Sequence, residues 1–154
     1  MPVGDAAPEI IVLIAAVAVL VSSSFMAQSR QWLAAVLAVV GLAAALLVTA
    51  GQLAETPRTT FSGVWVIDGA SVWARLIVLA ATAIAIGLAP EWLRTDRRHG
   101  EFYAVMLLGA LGAMLMAGAM DTMQLVLGVL LSSVSGYTLA GFHRASPLSV
   151  EAGM

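Results

Sequence analysis

The sequence lacks cysteine altogether and has few ionisable side chains. Its 154 residues include no Cys and only two His, and charged residues make up 10% of the chain. The absence of cysteine excludes disulfides, thiolate nucleophiles, cysteine-ligated iron–sulfur clusters and cysteine-type zinc sites. Two histidines, His99 and His143, are too few to favour a metal site. We therefore predict that this chain binds no metal and no cofactor.

Positive charge is scarce, and catalytic motifs are missing. The seven basic residues are all arginine and the formal net charge is -2, so the basic surface typical of nucleic-acid binding is absent and no nucleic-acid partner is expected. The sequence contains neither a Gly-x-Ser-x-Gly nucleophile elbow nor a phosphate-binding glycine loop. We predict no catalytic residue in this chain.

Apolar residues dominate what is present. They make up 61% of the chain, whose mean hydropathy is +0.99, whereas soluble domains carry about 25% charged residues. A membrane helix needs about 20 apolar residues, so five of them leave room only for connections and tails. We predict an all-α integral membrane protein with one membrane domain, 1–154, and about five transmembrane helices, at residues 10–27, 31–53, 71–89, 101–120 and 122–142.

Local signals set the expected helix ends. The leader before the first helix contains Asp5 and no basic residue, which predicts a membrane helix and not a signal peptide. Proline removes a helix hydrogen bond, so the third helix is expected to end at Pro90. Asp121 is expected to form a tight turn or to cap the fifth helix. Residues 61–67 mix aromatic and β-branched side chains, which indicates a short extended segment or a small hairpin.

Arg75 is the one basic residue inside a predicted span. A central Arg costs about 2.5–3.5 kcal/mol on insertion scales, but Arg75 lies near the helix end, where its side chain can extend to water. We therefore expect Arg75 to reach solvent. Lys, His and carboxylates are absent from the middle of the spans, so we expect no group in the bundle interior that binds and releases a proton.

Arginine is distributed unequally between the two sides of the predicted membrane. By the positive-inside rule, the amino terminus is expected outside and the carboxyl terminus in the cytoplasm. Two arginines, Arg58 and Arg75, lie on the outer side. Five lie on the inner side: Arg30, Arg94, Arg97, Arg98 and Arg144.

Small residues recur at every fourth position on the last two helices. Membrane helices associate through such residues because lipid provides no hydrophobic force between them. We expect these faces to pack together or against a partner. The hydroxyls of the fifth helix either bond to carbonyls of their own or neighbouring helices or line a hydrated face. The two faces are Gly109, Ala113 and Ala117, and Gln124, Gly128, Ser132, Gly136 and Ala140.

The candidate site residues are polar or packing positions on the last two helices. Glu101 and Asp121 are the carboxylates at opposite ends of the fourth helix, roughly 30 Å apart at 1.5 Å per residue, so they cannot act as a pair. The other candidates are on the fifth helix: Gln124, Gly128, Ser132 and Gly136.

Several segments together resemble subunit N of bacterial NADH:quinone oxidoreductase, respiratory complex I. The outer segment from Phe61 to Asp68 is similar to the corresponding segment of that family, and the strongest similarity runs from Glu101 to Glu151. Its segments are EFYAVMLL at 101–108, LGAMLM at 111–116, Asp121, LG at 127–128, YTLAGF at 137–142 and SVEA at 149–152.

The resemblance implies an antiporter-like membrane-arm subunit, of which this chain would be a divergent amino-terminal part. It implies coupling of quinone reduction to proton translocation, with other membrane-arm subunits and the lipid bilayer as partners. NADH and quinone would be used by the whole complex, and the redox centres would lie in other subunits.

Two departures from the family pattern stand out. The family commonly has a glutamate in the fifth helix where this chain has Leu130, and it continues beyond the Ser-x-Glu-Ala segment, whereas this sequence stops at Met154. A leucine cannot titrate, so the usual carboxylate is absent. A fragment or truncated product is therefore expected, and two alternatives remain: a subunit of a cation/proton antiporter complex, or a non-catalytic membrane scaffold.

Overall fold

Five long α-helices make up most of the part of the chain that the structure describes, and each is apolar enough to cross a membrane. The computed structural model describes residues 3–25, 32–92 and 99–142. Candidate spans have mean hydropathies from 1.5 to 2.6, which confirms the predicted all-α membrane fold. The helices are α1 (Ala7–Phe25), α2 (Trp32–Gln52), α3 (Gly69–Trp92), α4 (His99–Ala117) and α5 (Thr122–Ala140).

Several residues used in the sequence predictions are not among the described residues. The five arginines assigned to the inner side, His143 and the SVEA segment all lie outside the described residues. The inner-side arginines are Arg30, Arg94, Arg97, Arg98 and Arg144.

Helix α4 is the central helix of the bundle. It packs against α1, α3 and α5, while α2 packs against α1 and α3. Each of the first four helices contributes fully buried apolar side chains to one core, whose burial is favourable because the side chains interdigitate closely. These side chains include Val12 and Val19 of α1, Leu42 of α2, Leu79 and Ile86 of α3, and Leu107 and Met114 of α4.

Helix α1 begins earlier than predicted. A 3-10 turn at Val3–Ala6 leads directly into the α-helix at Ala7, so Glu9 lies inside the helix and not before it. Asp5 lies in the 3-10 turn and Glu9 in the first turn of α1, and both side chains are buried.

Helix α3 continues past Pro90, where we expected it to end. It runs to Trp92. A proline so close to the end removes one helix hydrogen bond, to the carbonyl four residues earlier, and only two further residues follow it in the helix. The prediction treated Pro90 as a stop, whereas the last turn accommodates it.

A β-hairpin connects α2 to α3, which confirms the second of the two structures predicted for this region. Strand β1 (Arg58–Thr60) pairs antiparallel with β2 (Trp65–Ile67), and Arg58 is opposite Ile67. The turn between the strands includes a 3-10 segment, Phe61–Gly63. The first strand lies before the predicted segment of 61–67, so the hairpin is longer than the sequence indicated.

Helix α4 ends at Ala117, three residues before the predicted end. The backbone N–H of Val66 donates to the carbonyl of Gly118 at 3.0 Å, and that of Met120 donates to the carbonyl of Val64 at 2.9 Å. The residues after α4 thus lie along the free edge of β2. Backbone groups at a sheet edge need partners, and this contact supplies them where hydropathy favoured more helix.

Candidate functional site

The residues singled out from sequence do not converge on one site. Glu101 lies half-buried in the first turn of α4, and Asp121 lies exposed beyond the other end of that helix. Asp121 caps α5, since its carboxylate accepts from the backbone N–H of Met123 at 3.2 Å. Gln124 is half-buried in the first turn of α5. In the described ranges, these three side chains do not come together in one cluster.

The close approach of α4 and α5 is centred on Gly112 and Gly128. A Cβ placed on Gly112 would lie 2.6 Å from the backbone nitrogen of Ser132 and 2.8 Å from the carbonyl oxygen of Gly128. A Cβ on Gly128 would lie 2.9 Å from the carbonyl oxygen of Gly112. Only glycine fits at both positions, because the two backbones themselves are in contact there.

The predicted packing faces therefore need correction. Gly136 is exposed, with no atom within 4 Å of a Cβ placed on it, and Ala140 is exposed as well. The sequence missed Gly112, which lies three residues after Gly109. Helices α4 and α5 pack against each other as expected, and Gly109 also lies on the contact, with its added Cβ 3.3 Å from Cβ of Ser135; the rotation of α5 turns Gly136 and Ala140 away from α4.

Two hydroxyls of α5 bond to their own helix. Ser135 donates to the carbonyl of Leu131 at 2.8 Å and Thr138 to that of Val134 at 2.7 Å. At these positions the first of the two interpretations, bonding to helix carbonyls, is confirmed.

A buried polar cluster lies at the end of the bundle that carries the hairpin. Its centre is Arg75, whose exposed fraction is 0%, so the expectation that Arg75 reaches water is wrong. Its Nε lies 3.4 Å from Oε1 of Glu9, whose exposed fraction is 5%. We expected no group in the bundle interior that binds and releases a proton; this titratable pair is enclosed by the helices and the hairpin.

The guanidinium of Arg75 has partners from two further elements, α2 and β2. It donates through one terminal nitrogen to Oε1 of Gln52 at 3.4 Å and through the other to the carbonyl of Val66 at 3.0 Å. Its central carbon lies 4.5 Å from the ring centroid of Trp65, a distance suited to cation–π attraction. Because α2, α3 and β2 all contribute, the cluster fixes the hairpin on top of the bundle.

Gly118 makes this arrangement possible. A Cβ at this position would lie 2.8 Å from the Trp65 ring and would collide with a terminal nitrogen of Arg75. A larger residue after α4 would displace either the guanidinium or the indole.

A second group of ion pairs lies next to the cluster, on the hairpin side. Arg58 pairs with Asp5 and, at 2.6 Å, with Glu55. The hydrogen bond to Asp5 raises the pKa of the Arg58 guanidinium above its ordinary value, with a smaller opposing effect of desolvation. The amide nitrogen of Gln52 donates to the backbone carbonyl of Asp5 at 3.3 Å. The surface pair and the buried pair are therefore connected through Gln52.

A reciprocal cap begins α3 just before Arg75. The backbone N–H of Ser71 donates to the Asp68 carboxylate at 2.8 Å, and that of Asp68 donates to the Ser71 hydroxyl at 3.1 Å. The bonds from Ser71 lower the pKa of Asp68 below its usual 3.8. The cap fixes the start of α3 and hence the position from which Arg75 extends.

We expect Asp68→Ala to destabilise the folded chain by about 1 kcal/mol, the usual cost of a lost helix cap. Because the folded-state pKa is lowered, the carboxylate contributes fully above the unfolded-state pKa and loses its contribution as pH falls through the folded-state pKa. Thermal unfolding in detergent, followed by circular dichroism, should show a difference from wild type at neutral pH that shrinks in acid. Thr59→Ala, at an exposed hairpin position, is the control; a pH-independent difference for Asp68→Ala would contradict the prediction.

The sequence contained a signal for the buried cluster that we did not use. A charge inside an apolar span needs a partner, and antiparallel helices place Asp5, Glu9 and Asp68 at the same end as Arg75. What the sequence did not indicate is which carboxylate pairs with it. In the described ranges, 3–25, 32–92 and 99–142, no three His, Asp or Glu side chains come together as a metal site would require.

The chain is similar in sequence to known proteins that share one name. No family model matches it. It is 36% identical over 152 residues to NADH-quinone oxidoreductase subunit N of Trichlorobacter lovleyi, covering 96% of this chain and 30% of the relative. It is 37% identical over 137 residues to subunit N 1 of Streptomyces griseus, covering 89% and 29%.

A third relative gives the same result. Subunit N of Dehalococcoides mccartyi is 32% identical over 138 residues, which are 89% of this chain and 28% of that protein. The chain thus spans about three tenths of the length of these curated relatives. The resemblance inferred from sequence motifs is confirmed.

Proposed function

We propose that this chain, a divergent relative of NADH-quinone oxidoreductase subunit N, is a membrane-arm component of a proton-translocating NADH:quinone oxidoreductase. The observation that carries the proposal is the similarity to relatives of that name over nearly the whole chain. The five apolar helices fit a subunit that lies in the bilayer. In this role the chain couples quinone reduction, carried out elsewhere in the complex, to proton translocation.

We infer that electron transfer takes place in partner subunits and not in this chain. A chain without cysteine cannot ligate an iron–sulfur cluster through thiolates. NADH and quinone are used by the complex as a whole, and this chain is an enzyme component without a redox centre of its own. Its contribution is to the membrane path of the proton.

The position expected to carry a carboxylate does not carry one here. Leu130 is 55% exposed on α5, on a helix that packs mainly against α4. Leucine cannot bind a proton, so translocation through this chain requires another titratable group. The described residues offer the buried pair of Glu9 and Arg75 instead.

The proposed partners are lipid and other membrane-arm subunits. The outward face of α5 is apolar and open, which is typical of helices that contact acyl chains or neighbouring membrane proteins. Its exposed side chains include Leu125, Val126, Leu127, Val129 and Val134.

The proposed orientation places the amino terminus outside a bacterial cell membrane. It is supported by the sequence distribution of arginine, of which five of seven lie on the opposite side. The hairpin and the buried cluster share the end of the bundle with the amino terminus, and they therefore face outward.

Association with the oxidoreductase tests this function. Membranes solubilised in mild detergent and separated on a native gel should show the tagged chain comigrating with other oxidoreductase subunits. Deleting the chain should reduce proton pumping driven by NADH oxidation. Migration only as a small free species would contradict the proposal, and loss of sodium tolerance with unchanged respiration would favour the antiporter alternative.

A further inference from the structure

Glu9 is a buried carboxylate whose oxygens accept no hydrogen bond from another side chain among the described residues. Arg75 Nε lies 3.4 Å from Oε1 but does not donate a hydrogen bond to it. Ionised carboxylates inside proteins are normally stabilised by several donors as well as by a counter-charge. Glu9 has one counter-charge and, besides it, only its own backbone N–H, so most of its acceptor capacity remains available to a proton or a water molecule.

A continuous series of polar groups leads from Glu9 to the surface. Arg75 contacts Gln52, and Gln52 contacts the backbone of Asp5. Asp5 pairs with Arg58, which also pairs with Glu55, whose side chain is 42% exposed. Arg75, Gln52 and Arg58 keep their protons, so the series does not itself relay a proton; it couples the charge of Glu9 electrostatically to the charged groups at the hairpin end of the bundle.

The charged groups around Glu9 come from few elements. Asp5 lies in the 3-10 turn before α1, Asp68 caps α3, Arg75 lies in the first two turns of α3, and Arg58 extends from β1. Helix α2 has no ionisable side chain. Among the side chains that the structure describes on α4, the ionisable ones, Glu101 and Tyr103, lie near its start, at the opposite end of the bundle.

We propose that Glu9 is a proton-exchange site, which binds a proton inside the membrane and releases it to water at the hairpin end of the bundle. In each cycle the carboxylate gains one proton and then loses it to water, and no other bond changes. Arg75 keeps its protons and acts as a positioning residue, because it compensates the carboxylate between transfers. The proposal rests on the proposed function, since only a translocating complex would drive repeated cycles of proton uptake and release.

Infrared spectroscopy of the full chain in lipid vesicles tests the site directly. As pH is lowered, wild type should show a growing C=O band in the range of buried carboxylic acids. The band should be lost in Glu9→Gln and kept in Asp121→Asn, which removes an exposed carboxylate outside the cluster. Glu9→Asp keeps the carboxyl group and should give a band at a shifted frequency, even if Glu9→Gln folds poorly. Identical spectra for wild type and Glu9→Gln would mean a static ion pair and would overturn the proposal.

Pumping by the intact complex separates this proposal from the proposed function. In membranes where Glu9→Gln still assembles, we expect a loss of protons pumped per NADH oxidised, with Asp121→Asn unchanged. An assembled complex whose pumping and infrared spectrum are unaffected by Glu9→Gln would refute the role of Glu9 and leave the proposed function standing. If the wild-type chain does not assemble with the oxidoreductase, the proposed function is wrong, and the infrared band alone decides whether Glu9 exchanges protons.

Discussion

Arg75→Met should destabilise the folded chain by about 3–5 kcal/mol, the cost typical of removing one partner from a buried ion pair. The variant leaves the Glu9 carboxylate enclosed without a counter-charge and removes the contacts to Gln52 and to the Val66 carbonyl. Methionine fills part of the volume but offers no donor. Denaturant or thermal unfolding in detergent, followed by circular dichroism, measures the loss.

Two further variants show whether the effect comes from the pair. The double variant Glu9→Gln/Arg75→Met removes both charges and should recover much of the stability, since neutralising both partners is far less costly than leaving one. Arg58→Met removes the half-exposed ion pairs of the same hairpin and should change stability much less, because solvent screens such pairs. Equal losses in Arg75→Met and Arg58→Met would show that burial of Arg75 is not what stabilises the cluster.

Gly112→Ala should weaken the packing of α4 on α5 by about 1–3 kcal/mol, as overpacking of a well-filled contact generally does. The added methyl group would meet the backbone nitrogen of Ser132 and the carbonyl oxygen of Gly128. Neither can move without shifting its whole helix. The measurement is the unfolding midpoint in detergent, together with the amount of chain recovered from membranes.

Gly136→Ala is the matched control on the same pair of helices. No atom lies within 4 Å of a methyl group placed there, and alanine has the higher helix propensity. Stability should stay the same or rise slightly. A similar loss in Gly112→Ala and Gly136→Ala would indicate that the helices do not cross where the structure places them.

The number of spans and several local features were accessible from sequence. A membrane requires about 20 apolar residues for each helix, so composition and hydropathy alone indicated five. The cap at Asp121 and the hairpin before α3 follow from short-range chemistry, because a carboxylate bonds to nearby backbone N–H groups and β-branched residues favour extended backbone. The motifs also indicated the resemblance to NADH-quinone oxidoreductase subunit N that the comparisons confirm.

Only the tertiary structure decided which side chains meet. Hydropathy placed Arg75 in a helix near its end, and its burial depends on Glu9, which is 66 positions away along the chain, and on the hairpin that closes over both. The spacing of small residues suggested Gly136 as readily as Gly128, but the rotation and crossing point of α4 and α5 select Gly112 and Gly128. Sequence periodicity determines the polarity of each helix face, whereas contacts depend on how distant helices are turned toward each other, and that is set by packing across the whole bundle.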